Sequence, residues 1–250
     1  MGLIETEAII LRTYNLAEAD KIVICLTRKA GVIRGVARGS RRLKSRFGAG
    51  LEPFTLVALS YHEKEGRELV ALRQAEIISS YFNLCSDALM VSSLARMAEM
   101  VIEFSPPHEP NERVFRMVSA CLEAISRSPA SLEELLGYFE VWLLRLSGFL
   151  PDITRCSVCG SSLRDSVAVF MDAEGRLRCR QCSPGALGAS LSEEVLGRLR
   201  AIRRLSPDAY ALEGLKGSAE SRKELDRLTS IIIRRALERE LRAKPLVLQS

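Results

Sequence analysis

The sequence predicts an α+β multidomain protein with a five-stranded β-barrel first, an α-helical domain after it, and a small cysteine-bearing insert within the helical part. Three observations carry this. In the first 80 residues, short runs rich in β-branched residues alternate with turn residues. From about residue 84, apolar residues recur at intervals of three and four. Four cysteines stand in two matched pairs, Cys156-Ser-Val-Cys159 and Cys179-Arg-Gln-Cys182, with nineteen residues between them.

The first strand is expected over Ile4 to Leu11 and the second over Lys21 to Thr27. The third runs from Gly31 to Ala37 after a Lys29-Ala30-Gly31 turn, and the fourth from Phe54 to Tyr61 behind Pro53. A polar turn at Glu63-Lys64-Glu65-Gly66 precedes the fifth, Leu69 to Ile78. Five such strands fit a small closed barrel of the OB type, with a helix within residues 15–21 as an open alternative. In the helical part, Leu89, Leu94, Met97, Val101 and Ile102 mark one helix, ended by Ser105-Pro106-Pro107. Val114, Phe115, Val118, Leu122 and Ile125 mark a second, closed by Pro129. Ser131 and Glu134 form the pattern of a capping box opening a third, which Gly148 and Pro151 stop. Two further helices are expected over about Ser192 to Leu205 and Ala219 to Ala243. The expected domains are 1–80 for the barrel, 81–150 and 188–250 for the two parts of the helical domain, and 151–187 for the insert.

The paired cysteines have the spacing of a metal site. Each C-x-x-C turn aims two sulfurs at one centre, and the segment between reads as a hairpin: an apolar run Val167-Ala168-Val169-Phe170, a turn Asp172-Ala173-Glu174-Gly175, then Leu177. Four thiolates complete tetrahedral Zn2+, leaving no position for water or substrate, so one structural zinc ion on Cys156, Cys159, Cys179 and Cys182 is expected. Arg155, Arg178 and Arg180 beside these ligands are expected to favour the thiolates. Two disulfides or two redox pairs are the competing readings. Cys25, Cys85 and Cys121 stand alone in apolar stretches and read as core residues. Unpaired thiols with a metal site point to a reducing compartment, the cytoplasm. Early Glu5 and Glu7 do not fit a signal peptide, and no apolar run reaches the length of a membrane span.

The net charge of +5 is unevenly spread. Residues 1–80 carry 13 Lys/Arg against 9 Asp/Glu, residues 81–150 carry 5 against 9, and residues 151–250 carry 18 against 13, so the ends are basic and the middle acidic. Residues 21–51 hold nine Lys/Arg and no acid. The candidate nucleic-acid contacts lie there: Arg34, Arg38, Arg41, Arg42, Lys44 and Arg46, with Phe47 as a possible stacking face. A solvated loop is the competing reading. Further clusters at Arg198, Arg200, Arg203 and Arg204, and at Arg234 and Arg235, read as exposed helix faces. Gly39 to Ser45 ends in Lys-Ser but lacks the second glycine of a phosphate-binding loop. His62 and His108 read as exposed loop residues, and the carboxylate pairs Glu133-Glu134 and Glu193-Glu194 as helix starts, so no enzyme is expected.

The order of these parts resembles the RecO family of bacterial recombination-mediator and DNA-repair proteins over nearly the whole chain. The match rests on Ala8-Ile9-Ile10-Leu11, Glu18-Ala19-Asp20-Lys21-Ile22-Val23, the basic stretch Arg38 to Phe47, Leu51-Glu52-Pro53-Phe54, and Gly148-Phe149-Leu150-Pro151 ahead of Cys156-x-x-Cys159-Gly160. The resemblance implies an OB domain, a helical domain and a zinc-binding insert. It also implies binding of single- and double-stranded DNA, annealing of complementary strands, and help, with RecR, in loading RecA where single-strand-binding protein covers DNA. An apolar groove of the helical domain would receive the C-terminal tail of single-strand-binding protein. The expected place of action is the cytoplasm, at the nucleoid when on DNA. An RNA-binding protein with an OB barrel and zinc ribbon, and a protein-interaction scaffold, are the other functions the residues allow.

Overall fold

The structure, a computed structural model, describes residues 2–63, 66, 68–85, 87–164, 168–183, 189–214 and 217–243. Lys64 and Glu65 of the anticipated polar turn, Val167 of the apolar run and residues 244–250 lie outside the described residues. The chain separates into two compact units, one of residues 1–126 with 242–250, the other of residues 127–241.

The first unit is built on a closed barrel of five strands: β1 (Leu3–Leu16), β2 (Asp20–Thr27), β3 (Gly31–Ala37), β4 (Thr55–His62) and β5 (Leu69–Ser80). They close in the order β1-β2-β3-β5-β4, antiparallel except where β3 runs parallel to β5. The period of two sends Ala8, Ile10, Val23, Cys25, Ile33, Val57, Leu59, Val70 and Leu72 inward to form the core. Residues 15–21 are not helical: β1 continues to Leu16 and pairs it with Asp20, the first residue of β2. Gly31 starts β3 at φ +63, and a β-carbon there would lie 2.1 Å from the carbonyl oxygen of Glu109, so only glycine fits. That neighbour belongs to the turn between α1 (Ala88–Phe104) and α2 (Glu112–Arg127), which is tied to β3 by His108 N–H donating to the Val32 carbonyl at 3.1 Å. Asp87 caps α1 through the Met90 N–H at 2.8 Å, and Asn111 caps α2 through the Val114 N–H at 3.1 Å. The buried Glu99 carboxylate on α1 accepts the N–H groups of Arg242 and Ala243 at 2.9 and 2.8 Å.

In the second unit, α3 (Leu132–Leu146) packs against α4 (Glu193–Ile202), α5 (Pro207–Gly214) and α6 (Ala219–Leu237). The anticipated helix to Leu205 stops at Ile202, and α5, not anticipated, follows behind the cap formed by Ser206 Oγ and the Ala209 N–H. The helix expected to reach Ala243 ends at Leu237, with Glu238 at φ +54. The expected capping box at Ser131 does not form: no side-chain cap bond is made, and Ser131 Oγ pairs with Ser128 Oγ at 3.0 Å. The Glu134 carboxylate is held instead by Arg198, both side chains being at most 6% exposed. Arg222 binds its other oxygen at 3.0 Å, and Arg198 Nε donates to Ser221 Oγ at 2.7 Å. This buried ionic cluster joins α3, α4 and α6, and it places Arg198 in the interior rather than on the expected exposed face. Between α3 and α4 stands a small sheet of β6 (Val169–Met171), β7 (Leu177–Cys179) and β8 (Ala189–Leu191), in the order β7-β6-β8. It abuts α6, where Arg235 donates to the Glu174 carbonyl at 3.0 Å.

Removing Arg198 leaves the buried Glu134 carboxylate with only the partly exposed Arg222 as its cation. Arg198→Ala should therefore lower stability by about 3–5 kcal/mol, and the apolar pair Arg198→Met with Glu134→Leu should recover most of it. Urea unfolding followed by circular dichroism checks both values.

Candidate nucleic-acid interface and metal centre

The basic stretch is a chain of turns between β3 and β4. At its start, the Gly39 N–H donates to the Asp20 carboxylate at 2.8 Å and the Arg41 N–H to the Ala19 carbonyl at 3.0 Å. The Arg41 guanidinium also donates to the Glu18 carbonyl at 3.0 Å, tying the loop to the β1–β2 turn. Successive turns then bond Arg42 to Gly39, Ser45 to Arg42 and Gly50 to Phe47 through the backbone. Phe47 and Leu51 are each 2% exposed and belong to the barrel core. Phe47 is therefore not the stacking face the sequence predicts; it is the anchor of the loop.

With Phe47 and Leu51 turned inward, Arg38, Arg41, Arg42, Lys44 and Arg46 are all exposed, as is Leu43 among them. Among the described residues, no carboxylate stands at ion-pair distance from any of these five. Arg46 lies over the Phe47 ring at 5.1 Å. Arg34, on β3, differs: Glu68 approaches its guanidinium at 3.7 Å, with both side chains largely in water.

The register of the barrel adds residues that the sequence pattern did not single out. Arg12 pairs with Ile24, which pairs with Arg34; Tyr14 pairs with Ile22, which pairs with Val36. Paired residues share a face, so Arg12, Tyr14 and Arg34 stand on the outer face of β1, β2 and β3. Tyr14 is 47% exposed, and its hydroxyl accepts from Arg12 at 3.3 Å. This surface supplies the exposed ring that Phe47 does not. Ending the first strand at Leu11 concealed it, because a β-bulge between Ile10 and Arg12 shifts the register there: the even-numbered Ala8 and Ile10 face the core, whereas Arg12 and Tyr14 beyond the bulge face outward.

The four paired cysteines come together in the second unit, with all four Sγ atoms within 4.8 Å of one another. The expected hairpin forms between β6 and β7, which pair Val169 with Cys179, and the Gly175 N–H closes its turn on the Asp172 carbonyl at 2.9 Å. In the first knuckle the Gly160 N–H returns to the Cys156 carbonyl at 3.0 Å with Gly160 at φ +70. In the second, Cys182 ends a short 3-10 turn, Arg180–Cys182. The Cys159 and Cys179 sulfurs are 3.7 Å apart. Sulfurs about 2.3 Å from a tetrahedral zinc stand about 3.8 Å from one another, so the set fits the ion. All seven cysteines are free thiols. Burial opposes ionisation of Cys156, yet the N–H groups of Cys159, Cys179 and Val158 bring its thiol down to about 6. Two of the three arginines expected to do this are engaged elsewhere: Arg178 pairs with Asp172 at 2.8 Å, and Arg155 donates to the Gly160 carbonyl at 3.4 Å. Cys25 and Cys121 are buried as expected, and burial pushes the Cys25 thiol up to about 12. His62 is the last residue of β4 rather than a loop residue, and His108 faces Glu63 at 3.4 Å.

Two family models cover the chain: one described as the N-terminal part of recombination protein O matches residues 1–81, and one described as its C-terminal part matches residues 85–245. A protein of Koribacter versatilis named DNA repair protein RecO is 36% identical over 240 residues, 95% of either chain. A protein of the same name from Symbiobacterium thermophilum is 32% identical over 247 residues, covering 98% of this chain and 96% of the relative. Among the described residues, no helix is long and apolar enough to cross a membrane.

Because Phe47 acts as a core anchor, Phe47→Ala should destabilise the protein by about 3–5 kcal/mol. Phe47→Leu, which keeps an apolar anchor without a ring, should leave single-strand affinity within twofold of the parent, roughly the scatter of an energetically neutral change. Thermal melts and fluorescence anisotropy on an oligonucleotide read the two effects; a ring used for stacking would show the opposite pattern.

Proposed function

The chain belongs to the RecO family, and from that premise we propose that it is a mediator of DNA repair and homologous recombination that binds single- and double-stranded DNA and anneals complementary strands. RecR, RecA and the C-terminal tail of single-strand-binding protein are the partners this reading brings, with RecA loading as the outcome. It acts in the cytoplasm at the nucleoid, and its work makes and breaks no covalent bond.

One observation supports this above the others: five cations, Arg38, Arg41, Arg42, Lys44 and Arg46, are exposed on a loop pinned by Phe47 and Leu51, without carboxylate partners among the described residues. Guanidinium forks pair with phosphate oxygens, and the bound strand releases its condensed counterions. Such contacts ignore base identity, as annealing of arbitrary sequences demands. Two strands repel through their phosphates, and a loop that neutralises both lets complements meet. Arg34 joins the set at little cost, since an exposed pair such as that with Glu68 is worth at most about 1 kcal/mol. Tyr14 offers a ring on which an unpaired base stacks.

The four cysteines would hold one zinc ion, soft thiolates being the ligands it prefers. Bound there, zinc supplies cross-linking of the two knuckles and no chemistry, since four sulfurs close its coordination sphere.

Each phosphate neutralised on a single strand contributes about −0.7 to the slope of log affinity against log salt, so replacing Arg38, Arg41, Arg42 and Lys44 with alanine should make the slope shallower by up to about 3. Unchanged affinity and slope in this variant would remove the loop from the interface, and tighter binding of a matched RNA would favour the RNA-binding reading. Metal analysis of freshly purified protein should find about one zinc per chain, and chelation should release order around Cys156 to Cys182 while oligonucleotide binding by the barrel persists.

A further inference from the structure

The second unit carries a cavity to which neither the barrel loop nor the metal centre gives a use. It measures about 520 Å³, opens to solvent, and is bordered by the end of α3, by α4 and by the stretch flanking the first cysteine pair. Its floor is apolar, made by Ile153, Leu163, Leu196 and Leu199, of which the three leucines are buried. Around it stand five arginines: Arg145, Arg164, Arg200, Arg203 and Arg204. Among the described residues, no carboxylate lines the cavity. Arg200 engages one nearby, Glu193 at 2.8 Å, in an exposed pair.

Basic residues at helix C-termini have a simple structural use, because the helix dipole places about half a negative charge there. Arg145 closes α3, and Arg203 and Arg204 follow the last residue of α4. Two helix ends therefore supply about one negative charge in all, against four guanidinium groups without carboxylate partners among the described residues. The surplus calls for an outside anion. Arg145 is also held in place: its guanidinium lies 4.8 Å from the Trp142 ring, and the indole N–H is fixed on the Ile202 carbonyl at 2.9 Å.

The kind of anion follows from what the walls offer. Arginine side chains only donate hydrogen bonds. The other polar side chain of the lining, Thr154, already gives its hydroxyl to Asp152 at 2.6 Å. A peptide strand brings N–H donors that would find few acceptors here. A polynucleotide backbone brings acceptors alone, while the apolar floor and the flat guanidinium groups give a base a surface to lie on. The absence of lysine among the lining residues agrees with this, since the planar fork both grips phosphate and stacks.

We propose that this arginine-walled cavity is a second polynucleotide-binding site, so that each unit of the chain holds a strand of its own. The proposal rests on the DNA-binding reading and deepens it: a protein that joins two strands gains from gripping each at a separate place.

The test uses the full-length chain with Arg164, Arg203 and Arg204 replaced together by glutamine. A second triple, with lysine at the same positions, keeps the charge, and zinc content and melting temperature confirm folding of both. Protein is loaded on an immobilised thymidine homopolymer, and capture of a second, labelled, non-complementary strand is measured. The glutamine triple should keep first-strand binding and lose second-strand capture about tenfold, with partial recovery in the lysine triple. Added to the alanine variant of the barrel loop, it should remove the affinity that remains. If the glutamine triple captures the second strand as well as the parent does and adds nothing to the loop variant, the proposal is overturned, while the loop assignment stands. A loop variant that binds normally while the glutamine triple fails would do the opposite, supporting the cavity and removing the loop. A labelled, aspartate-rich peptide serves as the competing probe. Loss of its binding in the triple, with both DNA readouts intact, would make the cavity a protein-docking site and would likewise overturn the proposal.

Discussion

Anchoring of the β3–β4 loop by Phe47 and Leu51 is the constraint on which the rest of the first unit depends. A run of cations this dense repels itself and would spread into solvent if left untethered. Two apolar side chains inside the barrel, 2% exposed each, hold its middle down. Bonds to Asp20, Ala19 and Glu18 hold its start. The repulsion is thereby stored in a fixed surface, and a polyanion bound there, as proposed, would relieve it without the ordering penalty of a mobile loop.

The second unit achieves fixity differently. Its helices meet around a buried ionic cluster in which Glu134 is shared by Arg198 and Arg222, with Ser221 completing the hydrogen bonds of Arg198. Such a cluster adds little net stability over an apolar core, but it penalises any packing that leaves one member unpaired. The cysteine insert is placed by the same helices, since the hairpin turn at Glu174 and Gly175 abuts α6 through Arg235 and Ile232. A closed four-sulfur site suits that role, because a small sheet of three-residue strands has too little core to hold itself.

Much of the barrel was legible because its signals are local. Turn residues bracket every strand, and β3 runs from Gly31 to Ala37 as the glycine and the apolar alternation require. The cysteine cluster was legible for the same reason, its spacing being a direct image of its geometry. What stayed hidden depends on residues far apart in the chain. Glu134 reads as a capping residue for Ser131, yet its partner Arg198 lies 64 residues away, and the stronger charge pairing wins. Phe47 reads as exposed among arginines, although Leu51, four residues on and turned to the same side, was a sign that both are anchors. The α5 helix was missed despite a local signal, since Ser206-Pro207-Asp208 is a cap followed by proline at the first helical position.

The central claim is that exposed cations on a pinned loop, without carboxylate partners among the described residues, grip the sugar–phosphate backbone of DNA. Annealing of two complementary oligonucleotides by the full-length protein, with no nucleotide present and over a series of salt concentrations, tests it most directly. The account predicts annealing well above the spontaneous rate at low salt, declining steeply as salt rises. Annealing no faster than the spontaneous rate, or acceleration indifferent to salt, would contradict it.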